Sequence, residues 1–258
     1  MMNDRTLAVV LAHPDDESFA IGGTLARYAA EGATVHLIVA TNGEAGIPDQ
    51  EPHQAAEVRQ SELLMACRVL GIRKPVFLGF VDGHLAEADE ASAVAALLSV
   101  LRKTRPDVVI TFGPDGISGH PDHLAVSRWT TIAFDRLSGE LGAPRRLYYI
   151  VPSPATQQGC GVPAAEEAAD GPLAFIDVHR FLVTKVRAAQ QHRSQHPPFS
   201  GVLEIEARGL ACHEVFRLVR PAHDVNRGVP IDDLFGDVDP RGDVIESADK
   251  EHQREYPA

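Results

Sequence analysis

The chain has 258 residues, 44% hydrophobic and 23% charged, and its 36 acidic against 24 basic side chains give a formal net charge of −12. A chain of this length buries a sizeable core without covalent staples, and its acidity argues against a nucleic-acid partner, because phosphate binding needs a basic surface. The three cysteines are odd in number and widely spaced, so neither a disulfide framework nor a thiolate metal site is expected and a reducing compartment fits.

Taken in chain order, the elements alternate. TLAVVLA (6–12) is a predicted strand that runs straight into His13, followed by Pro14, Asp15, Asp16 and Glu17. Residues 18–31 carry Phe19, Ile21, Leu25 and Tyr28 at helical spacing, with Gly32 as a stop. A β-branched strand (34–41), a polar loop (41–54) and a helix (55–70) closed by Gly71 follow. Next come a strand (75–80), an Ala/Leu-rich helix (90–104), a strand (107–112), a helix (121–137) and a strand (145–151). This rhythm predicts an α/β fold, Rossmann-like, with a mostly parallel sheet and helices on both faces. Residues 152–172 lack periodicity and read as a long loop near an active site. A strand (173–178) and a helix (179–192) are expected beyond it. Residues 221–258 read as an acidic, polar C-terminal extension, extended or partly disordered, on a single domain spanning 1–258 with its core at about 5–220.

No apolar run approaches the length of a membrane span, and the short run Leu7–Ala12 is flanked by Asp4 and the acidic cluster. A cytoplasmic protein without membrane insertion is expected, with homo-oligomerisation left open.

Three adjacent acids after a buried strand repel one another unless something positive lies beside them. Parallel α/β sheets bind ligands beyond the carboxyl ends of their strands. His13, the segment 41–44, Asp82 and the segment 113–123 all follow predicted strand ends. Pro14 keeps His13 out of helical geometry. His13 and Asp16, three apart in a tight turn, can then point to a common centre. In GHPDH (119–123), Pro121 suits a first helical turn and places His123 about a turn from His120. Two imidazoles and one carboxylate suit zinc, with Fe2+ also accommodated, and leave a position open for an acidified water. His13, Asp16 and His123 are therefore the expected ligands. Asp15 is a spare carboxylate placed as general base, and His120 a spare imidazole for an oxyanion or leaving amine. Asp122 is placed to hold that imidazole protonated. The bland alternatives are a polar turn for HPDD and helix capping for HPDH.

AHPDDE (12–17) and GHPDH (119–123) together resemble the PIG-L/LmbE-like family of zinc-dependent N-acetylglucosaminyl deacetylases. TNGEAG (41–46), RQSELLMACRVLG (59–71), LGFVDGHL (78–85) and KVRAAQQHRSQ (185–195) resemble further family segments. The resemblance implies the same ligands, base and histidine, with Arg59, Glu44 and Asp82 contacting sugar hydroxyls. It implies attack of a zinc-activated water on an acetamide of an amino-sugar. Ser118 stands where some members carry a tyrosine. Two other readings remain at this point: an amidase removing a larger acyl group from a glucosamine-containing thiol conjugate, and a non-catalytic metal- or sugar-binding protein. His36, His53 and His84 read as strand, loop and turn residues. His192 and Gln195 read as solvated helix surface. Gly22-Gly23 is no dinucleotide fingerprint, since G-x-G-x-x-G is absent.

Overall fold

A computed structural model describes residues 5–152, 171–195, 213–220 and 231–236. The first buried strand, β1 (Thr6–Leu11), sits mid-sheet, and its residues Leu7 to Leu11 are at most 1% exposed. It is flanked by β2 (Thr34–Thr41) and β4 (Val108–Phe112), with β3 (Val76–Phe80) beyond β2 and β5 (Arg146–Val151) beyond β4, all parallel. The seven strands run in the order β3-β2-β1-β4-β5-β7-β6, completed by β6 (Leu173–Asp177) and β7 (His213–Arg220). The chain order reverses between β1 and β4, and such a switch point opens a crevice at the strand ends.

Helices α1 (Asp16–Ala30), α2 (Pro52–Leu70) and α6 (Leu182–Ala189) pack together, and α3 (Glu90–Thr104) packs on α5 (Pro121–Leu137). A single short turn, α4 (Gly116–Gly119), precedes α5. Right-handed crossovers put the two groups on opposite faces of the sheet. Trp129 and Tyr28, both fully buried, anchor the two layers. Among the described residues no helix is long and apolar enough to cross a membrane.

Four features differ from the sequence expectation. HEVFRLVR (213–220), which had no assignment, is among the described residues the one strand antiparallel to both its neighbours, β5 and β6. The helix expected over 179–192 is a 3-10 turn (His179–Phe181) followed by only eight residues of α6. The tail expected to be extended holds a packed segment: Leu234 and Phe235 are fully buried, Tyr28 Oη donates to Asp233, and Tyr148 Oη donates to the Leu234 carbonyl. The rest of 221–258, and most of the loop 152–172, lie outside the described residues.

The fourth is a break in α1 at Ile21 (φ −139, ψ 21). The backbone groups freed by the break find partners from the far end of the chain. Glu214 accepts from the Gly23 and Thr24 amides at 3.1 and 2.7 Å, and Lys185 Nζ donates to the Ala20 carbonyl and to Glu214. A Cβ on Gly23 would lie 2.7 Å from Val178 Cβ, so the glycine permits this close approach.

Candidate active site

The end of β1 delivers His13 to the sheet rim, and α1 starts at once with Asp16. The Asp16 Oδ2 atom accepts from the Ala12 and His13 amides at 3.2 and 2.8 Å, which fixes the carboxylate under the imidazole. His123 comes from the first turn of α5 on the other side of the switch point. Its Nδ1 pairs with the Gly116 carbonyl at 3.0 Å, so Nδ1 carries the proton and Nε2 is left as a donor atom. His13 Nε2 faces Asp122 Oδ2 at 3.0 Å and Asp82 Oδ1 at 3.1 Å, which leaves Nδ1.

The remaining atoms converge. His13 Nδ1 lies 3.8 Å from Asp16 Oδ2, and His123 Nε2 lies 3.4 Å from Asp16 Oδ1. The ligand atoms of His13, Asp16 and His123 all lie within 4.8 Å of one another. Donors of a tetrahedral zinc, each at ~2.1 Å, sit about 3.4 Å apart, so the spacing and the chemistry of this set fit such an ion. Both imidazoles are also oriented through their second nitrogen by an oxygen acceptor, as metal-bound histidines usually are. A second group, His13, His120 and Asp122, meets the same distance test, but its His13 and Asp122 are the pair just described.

The electrostatics express a surplus of carboxylate. Burial alone would depress His13, but the hydrogen bonds to Asp122 and Asp82 and the charge of Asp16 outweigh it and raise its pKa to about 10. Burial opposes ionisation of Asp16, yet His123 and His13 hold it well below the usual carboxylate range. Asp15 goes the other way. Burial, then the charge of Asp16, push it up to about 7 against the pull of Arg59. His120 is lowered, by burial and by the charges of His13 and His123.

Asp15 is held in a strained backbone (φ 129, ψ −29), a conformation that costs roughly 1–3 kcal/mol in a non-glycine residue. Three contacts hold it there. Its amide donates to Glu17 Oε2 at 3.0 Å, and Arg59 Nη2 donates to its Oδ2 at 2.9 Å and to the Pro14 carbonyl. Arg59 reaches this position across the 41–46 loop, where a Cβ on Gly46 would lie 1.7 Å from Arg59 Nη1. Behind Asp15, Glu17 Oε1 meets His192 Nε2 at 2.8 Å and the Ser18 hydroxyl at 2.5 Å, with both Glu17 and His192 fully buried.

The comparisons with known proteins bear on these same segments. Residues 8–134 match the family model PIG-L, described as GlcNAc-PI de-N-acetylase. A 1D-myo-inositol 2-acetamido-2-deoxy-alpha-D-glucopyranoside deacetylase of Mycobacteroides abscessus is 34% identical, covering 92% of this chain and 100% of that protein. The chain belongs to the PIG-L family. A relative of the same name from Thermobifida fusca is 38% identical over 58% of this chain; the chain spans 63% of its length, and 56% of a relative from Rhodococcus opacus. Two solved structures share the fold at 20% identity. They are an N,N'-diacetylchitobiose deacetylase from Pyrococcus horikoshii (TM-score 0.65, 84% of each chain) and a 4-carboxy-2-hydroxymuconate hydratase from Pseudomonas putida (TM-score 0.66, 86% of this chain and 99% of that one).

Within this PIG-L chain the residues expected at the site divide into two sets. His13, Asp15, Asp16, Arg59, Asp82, His120 and His123 line one cavity of about 490 Å³. Glu44 braces loops, accepting from the Asn42 and Asp82 amides. Arg59 and Asp82, expected to meet sugar hydroxyls, are engaged with Asp15 and His13. Asp122 is fully buried, and its carboxylate is bound by His13 and by the Gly83 and Leu85 amides. It thus orients a candidate metal ligand, whereas the sequence pointed it at His120; His120 Nδ1 instead accepts the Asp122 amide at 3.2 Å. The charge of Asp122 still acts on His120 in the raising direction. His192 is a correction: it is 0% exposed, where solvated surface was expected. Glu17 had gone unassigned, and its only sequence signal is a third acid in a row.

Proposed function

We propose that the chain is a metal-dependent N-deacetylase acting on an N-acetylglucosamine-type substrate. The observation that carries this reading is one cavity that holds a three-donor set together with a carboxylate of pKa about 7 and a third imidazole, that of His120, whose pKa is lowered. The end-to-end likeness to a relative named as a deacetylase supports acetamide as the bond cleaved. His13 Nδ1, Asp16 and His123 Nε2 would hold the ion, zinc in our reading with Fe2+ also compatible, which when bound supplies Lewis acidity towards water and the acetamide oxygen.

The chain's own groups then move the protons. Oδ2 of Asp15 is tied to Arg59, which leaves Oδ1 to take the proton of the attacking water. A carboxylate with pKa near 7 can also return that proton to the amine nitrogen as the C–N bond breaks, releasing acetate and a glucosamine-type amine. His120 accepts at Nδ1, so its neutral ring carries the proton on Nε2 and donates it as a hydrogen bond to the developing oxyanion. Asp122 and Asp82 hold the His13 ring through Nε2, and Arg59 with Glu17 holds Asp15. We read residues 1–258 as one domain and the setting as cytoplasmic.

The test is acetate and free-amine release from N-acetylglucosamine glycosides by zinc-loaded protein. Release that stops on chelation and returns with zinc is expected. No release from protein with confirmed metal would overturn the reading.

A further inference from the structure

The segment HRSQ (192–195) takes no part in the chemistry above. It follows α6 and consists of His192 and a 3-10 turn (Arg193–Gln195). Three of its side chains bond to the groups that hold Asp15, or to the elements that carry those groups.

Asp15 depends on two neighbours. Its amide donates to Glu17 Oε2, and Arg59 Nη2 donates to its Oδ2. Both neighbours are long, flexible side chains, so each needs a fixed partner of its own. The turn supplies these partners. His192 Nε2 meets Glu17 Oε1 at 2.8 Å, with both residues 0% exposed. The Ser194 amide and hydroxyl donate to the two carboxylate oxygens of Glu62 at 2.8 and 2.6 Å. Glu62 lies on α2 about one turn beyond Arg59, on the same face. Gln195 Nε2 donates to the Gly46 carbonyl at 2.8 Å, and Gly46 lies against the Arg59 guanidinium.

Stability alone gives a poor account of the Glu17–His192 pair. An ionisable pair loses its hydration when buried, and apolar side chains of the same volume often hold a fold as well or better. What the pair supplies is direction, because it aims Glu17 Oε2 at one amide. That amide belongs to the residue with φ 129, a conformation that persists only where the surroundings over-determine it. Relaxation at Asp15 would move its carboxylate relative to the three-donor set, and a misplacement of about 1 Å can cost about 10²-fold in rate.

We propose that the 192–195 turn is a brace for the general base: His192 through Glu17, and Ser194 and Gln195 through Glu62 and Gly46, hold Asp15 in the geometry that takes the proton of the attacking water. They are positioning residues, acting through their partners rather than on the reacting atoms. The proposal rests on the deacetylase reading above and deepens it.

The test is a double-mutant cycle on the N-acetylglucosamine glycoside that wild-type, zinc-loaded protein cleaves fastest. His192→Ala also removes a buried partner, so rates are taken per native, metal-loaded molecule. His192→Ala is expected to lower kcat about 10–100-fold with KM and zinc affinity unchanged. His192→Gln, which keeps a donor towards Glu17, should recover most of the loss. Glu62→Ala frees the turn from α2 at a half-buried helix position that favours alanine, and should lower kcat about 3–10-fold. In an Asp15→Asn background both losses should shrink to less than about twofold, because the residue they act through is gone. In metal-free protein the Asp15 amide should exchange with solvent about tenfold faster in His192→Ala. Equal losses in both backgrounds, a loss that follows zinc affinity, or wild-type kcat would overturn the proposal, and so would unchanged exchange at Asp15. If His192→Ala does not fold, Glu62→Ala decides by the same criteria. No cleavage by the wild type would overturn the deacetylase reading, and with it the base that the turn is proposed to hold.

Discussion

At the β1–β4 end of the cavity, the polar groups come mainly from two short segments, 13–17 and 120–123, and they lean on one another. At the β5–β7 end, the polar pair Lys185–Glu214 is joined across 29 positions and bound to backbone 190 and 191 positions away, with apolar side chains around it. The contrast separates two demands. Groups that must share one ion and one proton need fixed spacing of a few ångströms, which short motifs supply. A wall that only excludes water can be assembled from any elements the fold brings together.

If the charged end does the chemistry, substitutions of the groups that line the cavity there should act on turnover and metal rather than on folding. Asp15→Asn is expected to lower kcat by about 10²–10⁴-fold while the protein retains its metal, measured by acetate release and metal content on one sample. Wild-type turnover in this variant would remove Asp15 from the mechanism. Removing one partner of a buried pair should instead act on stability. Glu17→Ala strands His192, and Lys185→Ala strands Glu214, each expected to cost roughly 3–5 kcal/mol in urea unfolding. A loss below about 1 kcal/mol for either would show that the pair relaxes to solvent. Between the two classes stands Asp122→Asn, which leaves the fold and loosens the His13 ring. Metal affinity should fall about 10–100-fold, as outer partners of ligand histidines usually require. Competition with a chelator of known affinity reads this, and an unchanged affinity would deny Asp122 its orienting role.

The smallest effect concerns pH. Burial alone would lower His192, but the charge and hydrogen bond of Glu17 raise it above its ordinary value of 6.5. A raised histidine contributes stability that is fully present below 6.5 and is lost as pH rises through the elevated folded value. Wild-type stability should therefore decline with pH above about 6.5 more steeply than that of His192→Gln. Parallel profiles would mean that the Glu17–His192 pair carries no protonation linkage.

The local part of this architecture could be read from residues alone. Strands with β-branched runs ending in His13 or in the 113–123 segment announce both the parallel sheet and the site, because strand, proline and ligand lie within a few positions. What escaped were features whose cause is distant. Gly22-Gly23 weakens the helix next to Ile21, but the partners that stabilise the break there, Glu214 and Lys185, lie far off in the chain. His192 looks like helix surface until Glu17 is placed against it. Asp122 neighbours His120 in sequence, but its carboxylate turns to His13 because the loop at 83–85 offers two amides. β7 carries no helix-period signal, and its antiparallel place between β5 and β6 depends on pairing rather than on composition.

The central claim is that His13, Asp16 and His123 share one ion in this cavity. X-ray absorption at the zinc edge of loaded protein tests it most directly. The account predicts a shell of nitrogen and oxygen donors at about 2.0–2.1 Å with two imidazoles, falling to one in His123→Gln. A shell without imidazole, or one that His123→Gln leaves unchanged, would contradict it.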